Sequence, residues 1–205
     1  MAVRLDPAGL ARGLRAVGSR SMPFVATGML NDLGVMARGD LAEEAEGVFD
    51  SPRPFSTRQA FYQVFARWRD ASPEAVVGVK DAQAGYYRYA VAGGPRREGP
   101  GMTAAGAFVP VEARVNKYGN LPLGPKRWLA RELGKPKVFS REVRGKRMVF
   151  QALKSRLKLL GVFVKAPVYE RRFDFDGVVR RRVEVSAERV FDARVAAEVA
   201  RGLRG

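Results

Sequence analysis

The stretch SMPFVATGMLNDLGVMARGDLAEEAEGVFDSPRP, residues 21–54, decides how the rest of the chain is read. Ser21 ahead of Met22-Pro23 supplies a capping hydroxyl and a proline in the first turn, the pattern of a helix start. Ala26, Leu30, Leu33, Ala37, Leu41, Ala45 and Val48 then recur at three- and four-residue intervals and predict one buried helical face. Asp40, Glu43, Glu44 and Glu46 fall mostly off that stripe, as a solvated face. Ser51-Pro52-Arg53-Pro54 ends the helix, because proline donates no hydrogen bond and disfavours a helical residue before it.

Upstream, Asp6-Pro7 opens a short amphipathic segment to about Val17, with Leu10, Leu14 and Val17 on one side. Downstream, the aromatic and valine-rich run Phe61 to Trp68 and the run Val76 to Lys80 predict two antiparallel strands. Tyr86-Tyr87-Arg88-Tyr89 leads into a glycine- and proline-rich loop or arm over residues 93–106. Phe108 to Val115 alternates like a strand, Tyr118 to Pro122 turns, and Pro125 to Leu133 predicts a short basic helix ending at Gly134. Residues 134–148 read as a basic, mobile segment, and Val149 to Leu160 is helix or strand by periodicity. Val162 to Val164 and the segment after Pro167 are strand-like. Asp174 or Asp176 caps a last helix whose buried face is Val179, Val183, Ser186, Val190, Ala193, Ala197 and Ala200. The expected architecture is one α+β domain over residues 1–205. In it a small antiparallel sheet is packed by a long helix in the N-terminal half and a long C-terminal helix, with glycine-rich and basic loop insertions.

At 205 residues and 46% hydrophobic, the chain can bury a substantial core. It has no cysteine, hence no disulfide, thiolate metal site or cysteine nucleophile, and no histidine, the commonest neutral-pH base and metal ligand. No catalytic residue, metal site or cofactor is predicted, and an enzyme is not expected. No apolar run approaches the roughly 20 residues of a membrane span. Arg4, Asp6, Arg12 and Arg15 leave no apolar stretch for a secretory signal, so an intracellular origin is expected.

The net charge of +16 is concentrated: fifteen Lys/Arg face three acids between Lys126 and Arg172. Lys126, Arg127, Arg131, Lys135, Lys137, Arg141, Arg144, Lys146 and Arg147, continued by Lys154, Arg156 and Lys158, are spread over loop and element alike. Such a spread suits phosphate-backbone or acidic-surface contact and offers no base-reading helix of a familiar kind. The interleaved Trp128, Phe139 and Phe150 suit base stacking or core packing equally. Gly93-Gly94-Pro95-Arg96-Arg97 is more simply a turn than a phosphate cradle, because no helix start follows it. Arg96 and Arg97 remain candidate anion contacts. Asp174 and Asp176 read as a cap and its solvated neighbour rather than a metal pair.

Several segments, taken in order, resemble the minor tail protein Z family of lambda-like long-tailed phages and prophages. Pro23-Phe24 with Leu30-Asn31-Asp32-Leu33 is similar to that family's opening helix, and Val48-Phe49-Asp50-Ser51-Pro52-Arg53-Pro54-Phe55 to the stretch that closes it. Gly93-Gly94 with Arg96, Tyr118-Gly119-Asn120-Leu121 with Gly124, and Pro167, Tyr169, Arg172, Phe173, Asp174 and Phe175 resemble its later motifs. The region from Leu133 to Val149 is shorter here than the arginine-rich insertion of many relatives. The resemblance implies a structural virion protein of the neck, assembled in the host cytoplasm, that joins or completes the head-proximal end of the tail. It further implies a homo-oligomeric ring of six or a multiple of six. Its implied partners are tail terminator, tail tube and head-closure or connector proteins, with genomic DNA in the channel. In that frame the motif residues are fold and interface positions and none is catalytic. The competing expectation is a nucleic-acid-binding protein without sequence preference.

Overall fold

The computed structural model describes residues 2–5, 21–99 and 102–202, within which helix α1 spans Met22–Val48. The chain runs β1 (Ala2–Leu5), α1, β2 (Phe61–Val64), β3 (Ala75–Val79), α2 (Asp81–Ala92), β4 (Gly94–Pro95), β5 (Met102–Thr103) and β6 (Gly106–Pro110). It continues through α3 (Pro125–Leu133), β7 (Val138–Val143), β8 (Lys146–Ala152), β9 (Leu157–Val164), β10 (Val168–Tyr169) and α4 (Phe175–Gly202). The fold is α+β, with small antiparallel sheets and long helices early and late in the sequence. Instead of the single domain expected, the chain divides into two compact units, Met1–Tyr87 with Phe173–Gly205 (unit 1) and Arg88–Arg172 (unit 2). Unit 2 is thus an insertion into unit 1.

In unit 1, α1 packs on the sheet β1-β3-β2, antiparallel throughout, and α4 packs along α1. Leu30, Leu33, Ala37, Leu41 and Ala45 are buried as their spacing predicts, while Ala26 and Val48 are half-buried and Val25 and Met29 take the inner positions of the first turns. Asn31 fastens α1 to the chain just beyond β2. Its Nδ2 donates to the Ala66 carbonyl (3.1 Å), its Oδ1 accepts from the Ala66 N–H (2.7 Å), and its own carbonyl accepts from Gln63 Nε2 (2.9 Å). Phe24 stacks on Trp68 at 4.9 Å.

Phe61, Tyr87, Phe173 and Phe175 form an aromatic core joined by Phe49, with Tyr87–Phe173 centroids 5.3 Å and Phe61–Phe173 6.1 Å apart. The Tyr87 hydroxyl donates to the Ser56 carbonyl (2.6 Å), so the one polar atom of that ring is satisfied. Asp174 caps α4, its Oδ1 accepting from the Gly177 N–H (3.3 Å), and Asp176 is exposed. Val179, Ser186 and Val190 are buried and Val183 half-buried, but Ala193 and Ala197 are exposed. Arg194 lies half-buried where the stripe continues, because Asp32 of α1 meets its charge; Ala200 falls outside the described side chains.

Unit 2 is built on the antiparallel sheet β5-β6-β9-β8-β7. One face is covered: Trp128 and Leu129 of α3 join Phe108, Val138, Val149, Leu160 and Phe163 in a buried cluster. Helix α3 has the bounds its sequence predicts.

Four expectations are corrected. Tyr86 to Tyr89 belongs to α2 rather than leading into a loop, because Asp81 and four alanines supply good helix-forming positions that the tyrosines obscure. The expected arm over 93–106 contains β4, which pairs with β10, and β5, which pairs with β6. The expected mobile segment over 134–148 is most of a regular hairpin, β7–β8, and Val149 to Leu160, helix or strand by periodicity, is the end of β8 and the start of β9 joined by a turn over 153–156. The strand expected over 108–115 is β6, which ends at Pro110. Strand β1 was not among the expected elements, and the amphipathic segment expected over residues 6–17 lies outside the described residues.

Phe173→Ala is expected to destabilise unit 1 by about 3–5 kcal/mol, whereas Phe139→Ala, on an exposed strand, should cost less than about 1 kcal/mol. Chemical denaturation followed by circular dichroism checks both.

Candidate functional site, a basic hairpin on unit 2

Charge divides with the units. Unit 2 holds twenty Lys/Arg against five Asp/Glu, a net +15, and unit 1 the remaining seventeen against sixteen, a net +1. The most concentrated part is the tip of the β7–β8 hairpin. Val143 pairs with Lys146, so only Arg144 and Gly145 make the turn. Both have positive φ, 50° and 73°, as a two-residue type I′ turn requires. Arg141, Arg144, Lys146 and Arg147 are all exposed there. Among the described residues, none of the four has an acid within ion-pair reach, and Glu142, opposite Arg147, makes no bridge. Lys137, just before β7, is likewise exposed and adopts positive φ (69°).

The other predicted contacts are distributed differently. Lys126 and Arg127 project from the first turn of α3, where cations oppose the helix dipole and an incoming anion would be favoured. Arg131 and Lys135 serve the fold instead. Both converge on Glu132, with Lys135 Nζ 2.8 Å from each carboxylate oxygen and Arg131 Nη2 3.0 Å from Oε1. Glu132 is only 8% exposed, so its charge needs these partners. Arg156 lies 3.6 Å from Glu112. Arg97 is exposed; Arg96 is half-buried, its guanidinium 5.9 Å from the Tyr89 ring.

The glycine pair is structural. The Gly93 N–H donates to the Tyr89 carbonyl (2.9 Å) at φ 71°, so Gly93 terminates α2 in the left-handed conformation that glycine favours. The Tyr118-Gly119-Asn120 turn is likewise held locally, with Asn116 Oδ1 accepting from the N–H groups of Tyr118 (2.9 Å) and Asn120 (3.1 Å). The motif residues Asn31, Asp32, Phe49, Phe173, Asp174 and Phe175 all make the internal contacts of unit 1 described above, and Pro52 follows the positive-φ Ser51 at the end of α1.

Comparison with known proteins finds no matching family model, curated protein or solved structure. What the site can do therefore rests on its own chemistry. Exposed cations without an ion-pair partner, on a solvent-facing hairpin, can bind polyanions or acidic surfaces. Two other surface features, one on each unit, carry no signal in the sequence. One is an apolar sheet face beside these cations. The other is a groove along α1 holding Glu43 and Glu44. The strand pairing that aligns the first, and the helix pairing that creates the second, are tertiary facts.

Burial by itself raises the Glu132 pKa, but hydrogen bonds from Lys135 and Arg131, with their charge, outweigh it and hold the carboxyl below its ordinary 4.5. A depressed carboxyl stabilises the fold above its unfolded-state pKa and loses that contribution as pH falls through the folded value. Glu132→Gln is expected to cost about 1 kcal/mol at neutral pH, and the gap to the unsubstituted protein should close as pH drops toward 3. Urea denaturation at the two pH values measures it.

Proposed function

We propose that this protein is a structural subunit of a phage neck, docking through its basic unit onto anionic neighbours at the head-proximal end of a long tail. The observation that carries the reading is the segregation of charge, +15 on unit 2 beside +1 on unit 1, with the β7–β8 tip left uncompensated. A strongly charged unit gains most from a fixed counter-charge, and an assembled particle supplies one in neighbouring subunits or in packaged DNA. The ordered motif series supports the neck in particular. On this reading the subunit joins a homo-oligomeric ring of six or a multiple of six. It contacts tail terminator, tail tube and head-closure proteins, contributes to the DNA passage and resides in the virion. Electron microscopy of purified particles, with the subunit labelled, is expected to find it at the head–tail joint. Absence from particles, or a position at the distal tail tip, would sink the reading.

A second reading is favoured by the same hairpin: backbone binding to duplex DNA without sequence preference. With four or five cations engaged, log K against log[salt] is expected to fall with a slope of roughly −4. Titration of duplex DNA with the isolated chain at several salt concentrations tests this, and a flat response would remove it.

A further inference from the structure

Two surfaces of the chain are opposite in charge and alike in carrying exposed apolar side chains. On unit 2 the five-stranded sheet is packed on one face only. Register puts Phe139 across from Phe150, Arg141 across from Met148, Met148 across from Val162, and Val162 across from Val109, so these side chains share the other face. Phe139, Val109 and Val164 on that face are exposed, and so is Val143 at its end, beside the cationic hairpin tip.

On unit 1, α1 and α4 border a groove of about 580 Å³. Its lining includes Glu43, Glu44, Val48, Val178 and Val185. Val185 is 79% exposed and so open to contact from solvent. The groove also contains Asp40, Arg181 and Arg182, but these are spoken for. Arg182 is bound bidentately by Asp40 (Nη2 to Oδ1 2.6 Å), with a weaker pull from Glu43, and Arg181 lies 3.5 Å from Asp174. Three acids against two arginines leave the lining a net −1, carried on the rim by Glu43 and Glu44, in a chain of net charge +16.

We propose that the hairpin tip of one copy docks in this groove of a second copy. Val143 meets Val48 and Val185, while Arg144 and Lys146 face Glu43 and Glu44. The inference rests on reading the chain as an assembling subunit and names the surfaces that would assemble it. Complementarity favours a second copy as the occupant. A nucleic acid answers the cations but not Glu43, Glu44 or the exposed Val185, whereas the chain itself carries both halves. The two-residue turn makes the tip narrow and pre-organised, which limits the ordering cost of insertion. Because the two patches differ, the contact is heterologous. It repeats head to tail and generates a ring where the rotation closes.

Sedimentation velocity on the full chain at low salt tests the contact with two variants, Arg144→Glu/Lys146→Glu on the hairpin and Glu43→Lys/Glu44→Lys in the groove. All four side chains are exposed or turn positions, and circular dichroism verifies that each variant folds. The unsubstituted chain is expected to form larger species as concentration rises. Each variant alone should associate roughly tenfold or more weakly, because like charges then face each other. An equimolar mixture of the two variants should associate again, because every junction then pairs opposite charges. General damage by the substitutions would not be repaired by mixing. If the unsubstituted chain associates and the variants do so equally well, the docking contact is wrong while the subunit reading stands. An unsubstituted chain that stays monomeric, or a mixture that stays monomeric, also overturns the contact, and the position of the subunit in particles is decided separately by microscopy.

Discussion

The antiparallel packing of α1 against α4 is the constraint on which unit 1 depends, since it closes the unit from segments that unit 2 separates in sequence. Two bidentate pairs set its alignment, Asp32 with Arg194 and Asp40 with Arg182, and their opposite order along the two helices requires them to run antiparallel. Such pairs contribute modestly to stability, but their fork geometry discriminates between registers that apolar contacts alone tolerate. Closure also demands that unit 2 begin and end close together. It does so within its own fold: β4 pairs with β10, and the Arg172 N–H donates to the Ala90 carbonyl (2.8 Å). An insertion whose ends are clamped adds little closure entropy to its host.

Electrostatics separates the two units further. In unit 1 the acids nearly match the cations, and most described pairs are internal: Glu46 with Arg58, Asp174 with Arg181, and the two helix-aligning pairs. In unit 2 five acids must serve twenty cations. Glu132 takes two of them, Glu112 and Glu98 lie near Arg156 and Arg88, and Glu142, opposite Arg147 at the hairpin tip, bridges none. Cations as close together as Arg144, Lys146 and Arg147 lie within a Debye length and repel one another at physiological salt. Any anionic partner relieves that repulsion and thereby stabilises the unit it binds.

Local signals in the sequence were sufficient for α1, α3, the β2–β3 pair and a carboxylate-capped start to α4, though not for which of Asp174 and Asp176 caps it, because each depends on neighbouring residues: periodicity, a proline, a glycine or a capping carboxylate. The division into units was not legible, since it depends on which distant strands pair. Helix α2 was hidden by its tyrosines, of which Tyr87 turns inward to the core while Tyr89 stacks near Tyr169. The basic residues of 134–148 suggested mobility, yet strand pairing needs no apolar alternation on an edge hairpin whose tip is solvated on both sides. The charge gradient itself was legible. Which cations it leaves available was not, because the withdrawal of Arg131 and Lys135 by Glu132 depends on the burial of one carboxylate.

The hairpin and the sheet face beside it offer two different kinds of contact. Exposed cations act at a distance: they raise encounter rates and select partners by sign, but in water they hold a partner weakly and release it with salt. An exposed apolar strip such as Phe139, Val109 and Val164 acts only on contact, where dehydration slows dissociation. The basic hairpin presents these two properties side by side on a rigid two-residue turn, in the open rather than around an enclosed volume. A group that must meet another macromolecule and stay there needs a projecting, pre-shaped surface, and the β7–β8 hairpin has that form.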